Sequence, residues 1–141
     1  MLTAIVGGRL QGVELVCLAK KTDWQTLLVD RNTHVPAQWL CDRFLQLDVC
    51  EASALDKSLK TVDLVIPALE NQTALDNLVQ WGRMRKIPVA FDPEAYAISS
   101  SKIASNRLFA SLGIPTPAPW PQCGFPVVAK PSHASGSEGV A

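Results

Sequence analysis

Apolar runs of strand length alternate with helical patterns along the first two thirds of the chain. Leu2–Val6 is a short apolar run that predicts a buried strand, and Gln25–Asp30 predicts a second strand. Between them, residues 9–21 carry apolar side chains at helical spacing. A strand, a helix and a second strand in this order form a right-handed crossover between parallel strands. In the helix we expect Leu10, Val13 and either Val16 or Cys17 to face the core.

The same alternation continues to about residue 91. We predict strands at 43–48, 62–66 and 87–91 and helices at 52–59 and 71–85. The first of these strands alternates polar with apolar residues, and the last contains Pro88, so both suit edge positions. The pattern is typical of an α/β, Rossmann-like fold, an open parallel sheet with helices on both faces. Ligands of such sheets bind beyond the carboxyl ends of the strands.

A change of composition marks the last third of the chain. Residues 101–112 predict a helix with serines before it and Gly113 after it, and four prolines follow within residues 115–121. Residues 125–130 then predict a strand. We therefore place domains at 1–95 and 122–141, joined by a helix and proline-rich linker at 96–121.

Composition excludes several classes of function. Apolar residues make up 48% of the chain, and 13 basic residues balance 13 acidic ones, so no basic field favours nucleic acid. No apolar stretch reaches the ~18 residues of a membrane span. Four dispersed cysteines and two isolated histidines predict no disulfide framework and no metal site. We expect a cytoplasmic protein that binds neither nucleic acid nor membrane.

The glycine turn after the first strand is the first candidate site. Its sequence is Gly-Gly-Arg-Leu-Gln-Gly, from Gly7 to Gly12, and Asp30 ends the next strand. A dinucleotide-binding turn needs a glycine where Arg9 stands, because a side chain there blocks close approach of the pyrophosphate. A small anion on the helix N-terminus, such as a substrate carboxylate, remains open, as does a turn needed only for packing.

Three polar residues at strand ends are further candidates. Asp30 is positioned to bind a hydroxyl or an amine, or to act as a turn residue. Glu70 and Asn71 follow the strand at 62–66, where they suit an amine-bearing ligand or simply the start of a helix.

Two lysines and a glycine/serine loop in the last forty residues suit a nucleotide's phosphates. Lys102 lies in the first turn of a helix, where a cation is electrostatically unfavourable without an anionic partner. Lys130 ends Val127-Val128-Ala129, which predicts a buried strand whose charged end needs a partner. Backbone amides in the loop that follows can cradle phosphates, and we assign ATP binding to Lys102, Lys130, Ser135, Gly136, Ser137 and Gly139.

At these residues the chain resembles the ATP-grasp ligase superfamily. Residues 1–95 resemble its pre-ATP-grasp domain, Leu112-Gly113-Ile114-Pro115 resembles its Gly-Ile-Pro helix end, and Pro126–Pro131 resembles the start of an ATP-grasp domain. Within the superfamily the chain most resembles the ligases of pyrrolysine biosynthesis, on three stretches: 7–12, 67–71 and 91–99. Ser101 departs from the Asp that is frequent there, and Glu138 from the usual small or basic residue.

The resemblance implies an ATP-dependent carboxylate–amine ligase that forms an acyl-phosphate and joins lysine to methylornithine. It implies ATP and Mg²⁺ as cofactors, with the metal ligands and all catalytic residues outside this chain, which we expect to be an inactive N-terminal fragment with a truncated ATP-grasp domain. It also allows a homodimer. The substrate-binding residues it implies are Gly8, Arg9, Leu10, Gln11, Gly12, Asp30, Glu70 and Asn71. Two alternatives stay open: a purine-pathway or carboxylase ligase of the same superfamily, and a stand-alone domain that binds NAD or another small ligand.

Overall fold

The computed structural model describes residues 1–133 and 139–141. The chain divides into two compact units, Met1–Phe91 and Asp92–Ala141.

The first unit is built on a four-stranded parallel sheet. Its strands are β1 (Leu2–Val6), β2 (Gln25–Asp30), β3 (Arg43–Gln46) and β4 (Leu64–Pro67), in the order β3-β2-β1-β4. Every pairing is parallel, and Ala4 lies between Leu27 and Val65. The predicted open parallel sheet, with residues 43 onward at its edge, is confirmed.

Two separate apolar clusters cover the two faces of this sheet. Ile5 and Leu28 contribute to one cluster with α1 (Leu10–Lys21) and a short 3₁₀ helix (Pro36–Trp39). On the other face, Val6 and Val65 pack with α2 (Ala52–Leu59) and α3 (Gln72–Arg85). The buried residues of α3 are Ala74, Leu75, Leu78, Trp81 and Gly82.

Two expectations for the first unit are wrong. The predicted strand at 87–91 is reduced to a single parallel bridge between Val89 and Val65. Pro88 explains this, because it accepts a hydrogen bond from Val65 but has no N–H to extend the ladder. In α1, the expectation for Leu10 is wrong, because it is 69% exposed. Val16 is buried and Val13 packs against the core, as predicted, and Gly12 and Ala19 complete the buried face.

The described residues of the second unit form two helices, α4 (Pro93–Ser99) and α5 (Lys102–Ser111). The sequence prediction missed α4, although Asp92 caps it by accepting hydrogen bonds from the amides of Glu94 and Ala95. Within α4 and α5, all of whose residues the structure describes, none is buried.

The predicted strand at 125–130 does not form among the described residues. Val128 is 71% exposed, so the expectation of a buried strand before Lys130 is wrong. An isolated strand leaves its backbone groups unpaired. Among the described residues, Ala129 exchanges a pair of hydrogen bonds, 2.8 Å each, with Ala141. In the part of the chain that the structure describes, no helix is both long and apolar enough to cross a membrane.

Candidate functional site

The first candidate site lies where the carboxyl ends of β1 and β4 meet. The chain runs from β1 outward to β2 and β3 and then returns to place β4 on the other side of β1. In open parallel sheets this reversal leaves a crevice between the two loops that leave neighbouring strands in opposite directions. The loops here are the glycine turn after β1 and residues 68–71 after β4.

The two loops are in direct contact. The amide of Ala68 donates a hydrogen bond of 2.7 Å to the Val6 carbonyl. Gly7 has a φ of +110°, and a Cβ atom there would overlap the carbonyl oxygen of Ala68. Gly12 is equally constrained, because its Cβ would overlap the carbonyl oxygen of Gly7. These two glycines are therefore required by close backbone approach.

The exposed residues of the turn face outward from this packed base. Arg9 is the N-cap of α1, yet its side chain makes no capping hydrogen bond. Arg9, Leu10 and Gln11 are all exposed, with Leu10 at 69%. A side chain thus occupies the position at which a dinucleotide-binding turn carries its second glycine.

Both carboxylate oxygens of Asp30 accept hydrogen bonds from other residues of this chain. One of its carboxylate oxygens, Oδ2, accepts a hydrogen bond of 2.8 Å from the Gly8 amide. The other, Oδ1, accepts from the backbone amide of Asn32 at 2.8 Å and from its side-chain Nδ2 at 3.2 Å. The structure therefore gives Asp30 the contacts of a turn residue, one of the two roles that the sequence leaves open.

Glu70 and Asn71 lie at the entrance to α3. Asn71 is the N-cap of that helix, and its Oδ1 accepts a hydrogen bond of 3.0 Å from the Ala74 amide. Glu70 precedes it and is exposed. Both residues thus stand beside the glycine turn, on the loop that contacts it through Ala68.

The loop after β3 supports Asn71 from the side, a feature that the sequence did not reveal. The Cys50 thiol donates to Asn71 Oδ1 at 3.6 Å, and Asn77 Nδ2 donates to the carbonyls of Val49 (3.1 Å) and Cys50 (2.8 Å). Burial raises the pKa of the Cys50 thiol, a direction consistent with its role as a donor. The backbone amide of Cys50 lowers the pKa of Asp48. The sequence signal for the contact with this loop is Asn77, because an asparagine inside a helix commonly bonds to backbone elsewhere.

The second candidate site lies within the second unit, at the start of α5. Ser101 caps the helix by accepting a hydrogen bond of 3.2 Å from the Ala104 amide, and its hydroxyl lies 3.1 Å from that of Ser132. The Ser132 carbonyl accepts from the Lys102 amide at 3.1 Å and from Lys102 Nζ at 3.4 Å. Because Lys130 is two residues from Ser132, both lysine-bearing segments converge on one helix N-terminus.

Several of the predicted phosphate-binding residues have no described position. Ser135, Gly136 and Ser137 lie outside the described residues. Gly139 is described and has a φ of +67°, and Lys130 is exposed. Among residues 1–133 and 139–141, no group of three or more His, Cys, Asp or Glu side chains could hold a metal ion.

Comparisons with known proteins agree with the resemblance drawn from the sequence. No protein-family model matches the chain. The 3-methyl-D-ornithine–L-lysine ligase of Methanosarcina barkeri (strain Fusaro) is 38% identical over 137 residues, and that of Methanosarcina acetivorans is 37% identical over the same length. The match covers 96% of this chain but only 38% of each relative.

Solved structures share the fold. N5-carboxyaminoimidazole ribonucleotide synthetase from Thermus thermophilus superposes on 82% of this chain and 31% of its own, with a TM-score of 0.68 and 18% identity. The Staphylococcus aureus enzyme complexed with ADP covers 79% of this chain and 30% of its own, with a TM-score of 0.63 and 18% identity. Saccharopine dehydrogenase (L-Glu forming) from Saccharomyces cerevisiae covers 65% of this chain and 22% of its own, with a TM-score of 0.54 and 26% identity. Over nearly all of its length, this chain is similar to the N-terminal part of the 3-methyl-D-ornithine–L-lysine ligases.

Proposed function

We propose that the chain is the N-terminal part of an ATP-dependent ligase that joins lysine to methylornithine. The observation that carries the proposal is the 38% identity to the Methanosarcina barkeri ligase across 96% of this chain. The chain spans 38% of that relative, so the activity belongs to the longer protein and not to these residues alone. A cytoplasmic location and a homodimer stay predictions.

The first unit would bind an amino-acid substrate in the crevice between the β1 and β4 loops. Backbone amides at the N-terminus of α1, from Arg9 to Gln11, form a positive end that favours a carboxylate. Across the crevice, the exposed carboxylate of Glu70 would attract an ammonium group, and Asn71 would lie beside it. Opposite charges on the two loops match the two ends of a zwitterionic amino acid.

The second unit would bind the phosphates of ATP. The donor set that fits an anion consists of Lys102, at the N-terminus of α5, and Lys130, two residues before Ser132. Each charge-assisted hydrogen bond to a phosphate stabilises binding by ~1.5–3 kcal/mol. When bound, ATP supplies the phosphoryl group that activates a substrate carboxylate as an acyl-phosphate. The lysines would hold that nucleotide in place. We assign the Mg²⁺ ligands to residues outside this chain.

A chimera tests this function. The 141-residue chain would replace the matching N-terminal segment of the Methanosarcina barkeri ligase, and ADP release would be measured with L-lysine and 3-methyl-D-ornithine. We expect ADP release that needs both amino acids and that falls in a Lys130→Ala chimera through a raised KM for ATP. A folded chimera whose ATP turnover ignores both amino acids would overturn the proposal, as would a folded chimera that forms no ADP beside an active parent enzyme.

Two other functions can be separated from this one. The similarity to saccharopine dehydrogenase favours a dinucleotide-binding domain, but Arg9 occupies the critical glycine position and Asp30 is already hydrogen-bonded to Gly8. Titrating the chain with NAD tests this alternative, since saturable binding of NAD without binding of amino acids would favour a dinucleotide-binding domain.

A purine-pathway or carboxylase ligase of the same superfamily is the second alternative. It would show ATP turnover in the chimera that depends on bicarbonate and not on lysine.

A further inference from the structure

Asp30 is the point at which the segment after β2 is tied to the glycine turn. Its carboxylate accepts three hydrogen bonds, one from the Gly8 amide and two from Asn32. The bond to Gly8 joins residues 22 positions apart in sequence and is part-buried. The carboxylate therefore connects two loops that leave neighbouring strands.

Gly8 is held on its other side by the same segment. Its carbonyl accepts a hydrogen bond of 3.1 Å from the Ala37 amide, and a Cβ on Gly8 would overlap the side chain of Val35. Both backbone polar groups of Gly8 are thus satisfied by residues 30–37. Because Gly8 is where the chain turns from β1 into α1, this segment fixes the direction of the amides at the start of α1.

We infer that Asp30 is a positioning residue, which orients the substrate-binding turn through Gly8 and does not contact the amino acid itself. The inference rests on the proposed function for the identity of the ligand. This role differs from the direct substrate contact that the position of Asp30 at a strand end suggests. The amides from Arg9 onward would bind the carboxylate, and Asp30 would keep them aimed at the crevice.

The alternative role, direct contact with a substrate amine, makes a different demand. A direct contact needs the negative charge of Asp30, whereas positioning needs an oxygen that accepts from the Gly8 amide. Asp30→Asn keeps one acceptor oxygen and loses the charge, and Asp30→Ala loses both. The two variants therefore separate the roles.

The test combines amide chemical shifts with lysine binding in the 141-residue chain. We expect Asp30→Ala to move the Gly8 amide proton upfield and to weaken L-lysine binding on the order of tenfold, the loss that one charge-assisted hydrogen bond can cause. Asp30→Asn should fall between wild type and Asp30→Ala in both measurements. Asn32→Ala is the matched control, since it removes only the 3.2 Å side-chain bond and should leave Gly8 in place.

Two results would overturn the inference. One is a Gly8 amide resonance that stays at its wild-type position in Asp30→Ala. The other is an Asp30→Asn protein that loses as much lysine affinity as Asp30→Ala while its Gly8 resonance is unchanged. If the wild-type chain shows no lysine binding, the proposed function is at fault, and the Gly8 resonance alone still decides whether Asp30 orients the turn.

Discussion

In the first unit the candidate site stands on a packed core. In the second unit Lys102 stands on α5, a helix without buried residues, and Lys130 stands on an exposed segment outside any helix or strand. Gly7 and Gly12 touch neighbouring backbone, and β1, which leads into them, is buried from Thr3 to Val6. Lys102 and its neighbours are tied instead by a few hydrogen bonds at Ser101 and Ser132.

This difference predicts how each site responds to change. Substitution at the first site should disturb stability and ligand binding together, because the backbone that packs the turn is also the backbone proposed to bind the ligand. Substitution at the second site should change nucleotide binding with little cost in stability of the first unit.

The largest expected effect is on core packing. Leu28→Ala removes a side chain that is 0% exposed beneath α1, and such truncations cost about 2–5 kcal/mol. Leu112→Ala, at a leucine that is 64% exposed, is the matched control in the second unit and should change stability by less than about 0.5 kcal/mol. Urea unfolding monitored by tryptophan fluorescence measures both, and equal losses would contradict the contrast between units.

Gly12→Ala should be the next most damaging change. The added methyl overlaps the Gly7 carbonyl oxygen, and although alanine favours helix by about 1 kcal/mol, overpacking costs about 1–3 kcal/mol, so a net loss follows. L-lysine binding should weaken too, because the turn must shift. Glu14→Ala, on the exposed side of α1, is the control and should affect neither property. A Gly12→Ala protein more stable than wild type would show that the turn is loosely packed.

Ser101→Ala should have a smaller, local effect. Loss of an N-cap costs about 1 kcal/mol, and the hydroxyl contact with Ser132 is lost as well. Amide hydrogen exchange should show faster exchange at Ala104, with Ser111→Ala as the control at the other end of α5. In the chimera the KM for ATP should rise while kcat changes less. Unchanged exchange at Ala104 would mean that the cap does not hold this helix.

A smaller effect is expected on the pH dependence of stability, through the salt bridge between Asp56 of α2 and Arg85 of α3. The Arg85 guanidinium, helped by the Trp81 indole N–H, holds the pKa of Asp56 below its usual value of 3.8. A depressed carboxyl pKa adds stability above the unfolded pKa, and that stability is lost as pH falls through the folded value. Acid unfolding of Asp56→Asn should therefore be shallower below about pH 4. Arg85→Gln should flatten the profile similarly, and a wild-type profile in both would rule out this contribution.

Sequence periodicity predicted most helices and strands of the first unit, because burial there follows the regular spacing of apolar side chains. The bounds of β1, β2 and α2 match the prediction, and α3 differs only in that Asn71 is its cap. In α1 the prediction was confirmed for Val13 and Val16 but was wrong for Leu10. The first turn packs through Gly12 instead, and a glycine carries no hydrophobic signal. The predicted strand at 87–91 does not form because Pro88 has no N–H to donate. Helix α4 was not predicted, although Asp92-Pro93-Glu94 is a typical helix start.

The candidate sites were harder to predict for a different reason. The sequence placed Glu70, Asn71 and the glycine turn at strand ends, but strand order, which alone makes β1 and β4 neighbours, depends on long-range pairing. The sequence could not show that Asp30 accepts from Gly8 or that Cys50 supports Asn71, since those bonds span 22 and 21 residues.

The most direct test of the central claim is a titration of the isotope-labelled chain with L-lysine, observed through its backbone amides. We expect saturable shifts of the amide resonances at residues 8–12 and 70–74, in the two loops that form the crevice, with little change elsewhere in the first unit. Shifts confined to other residues, or shifts at the same amides with NAD and none with lysine, would contradict it.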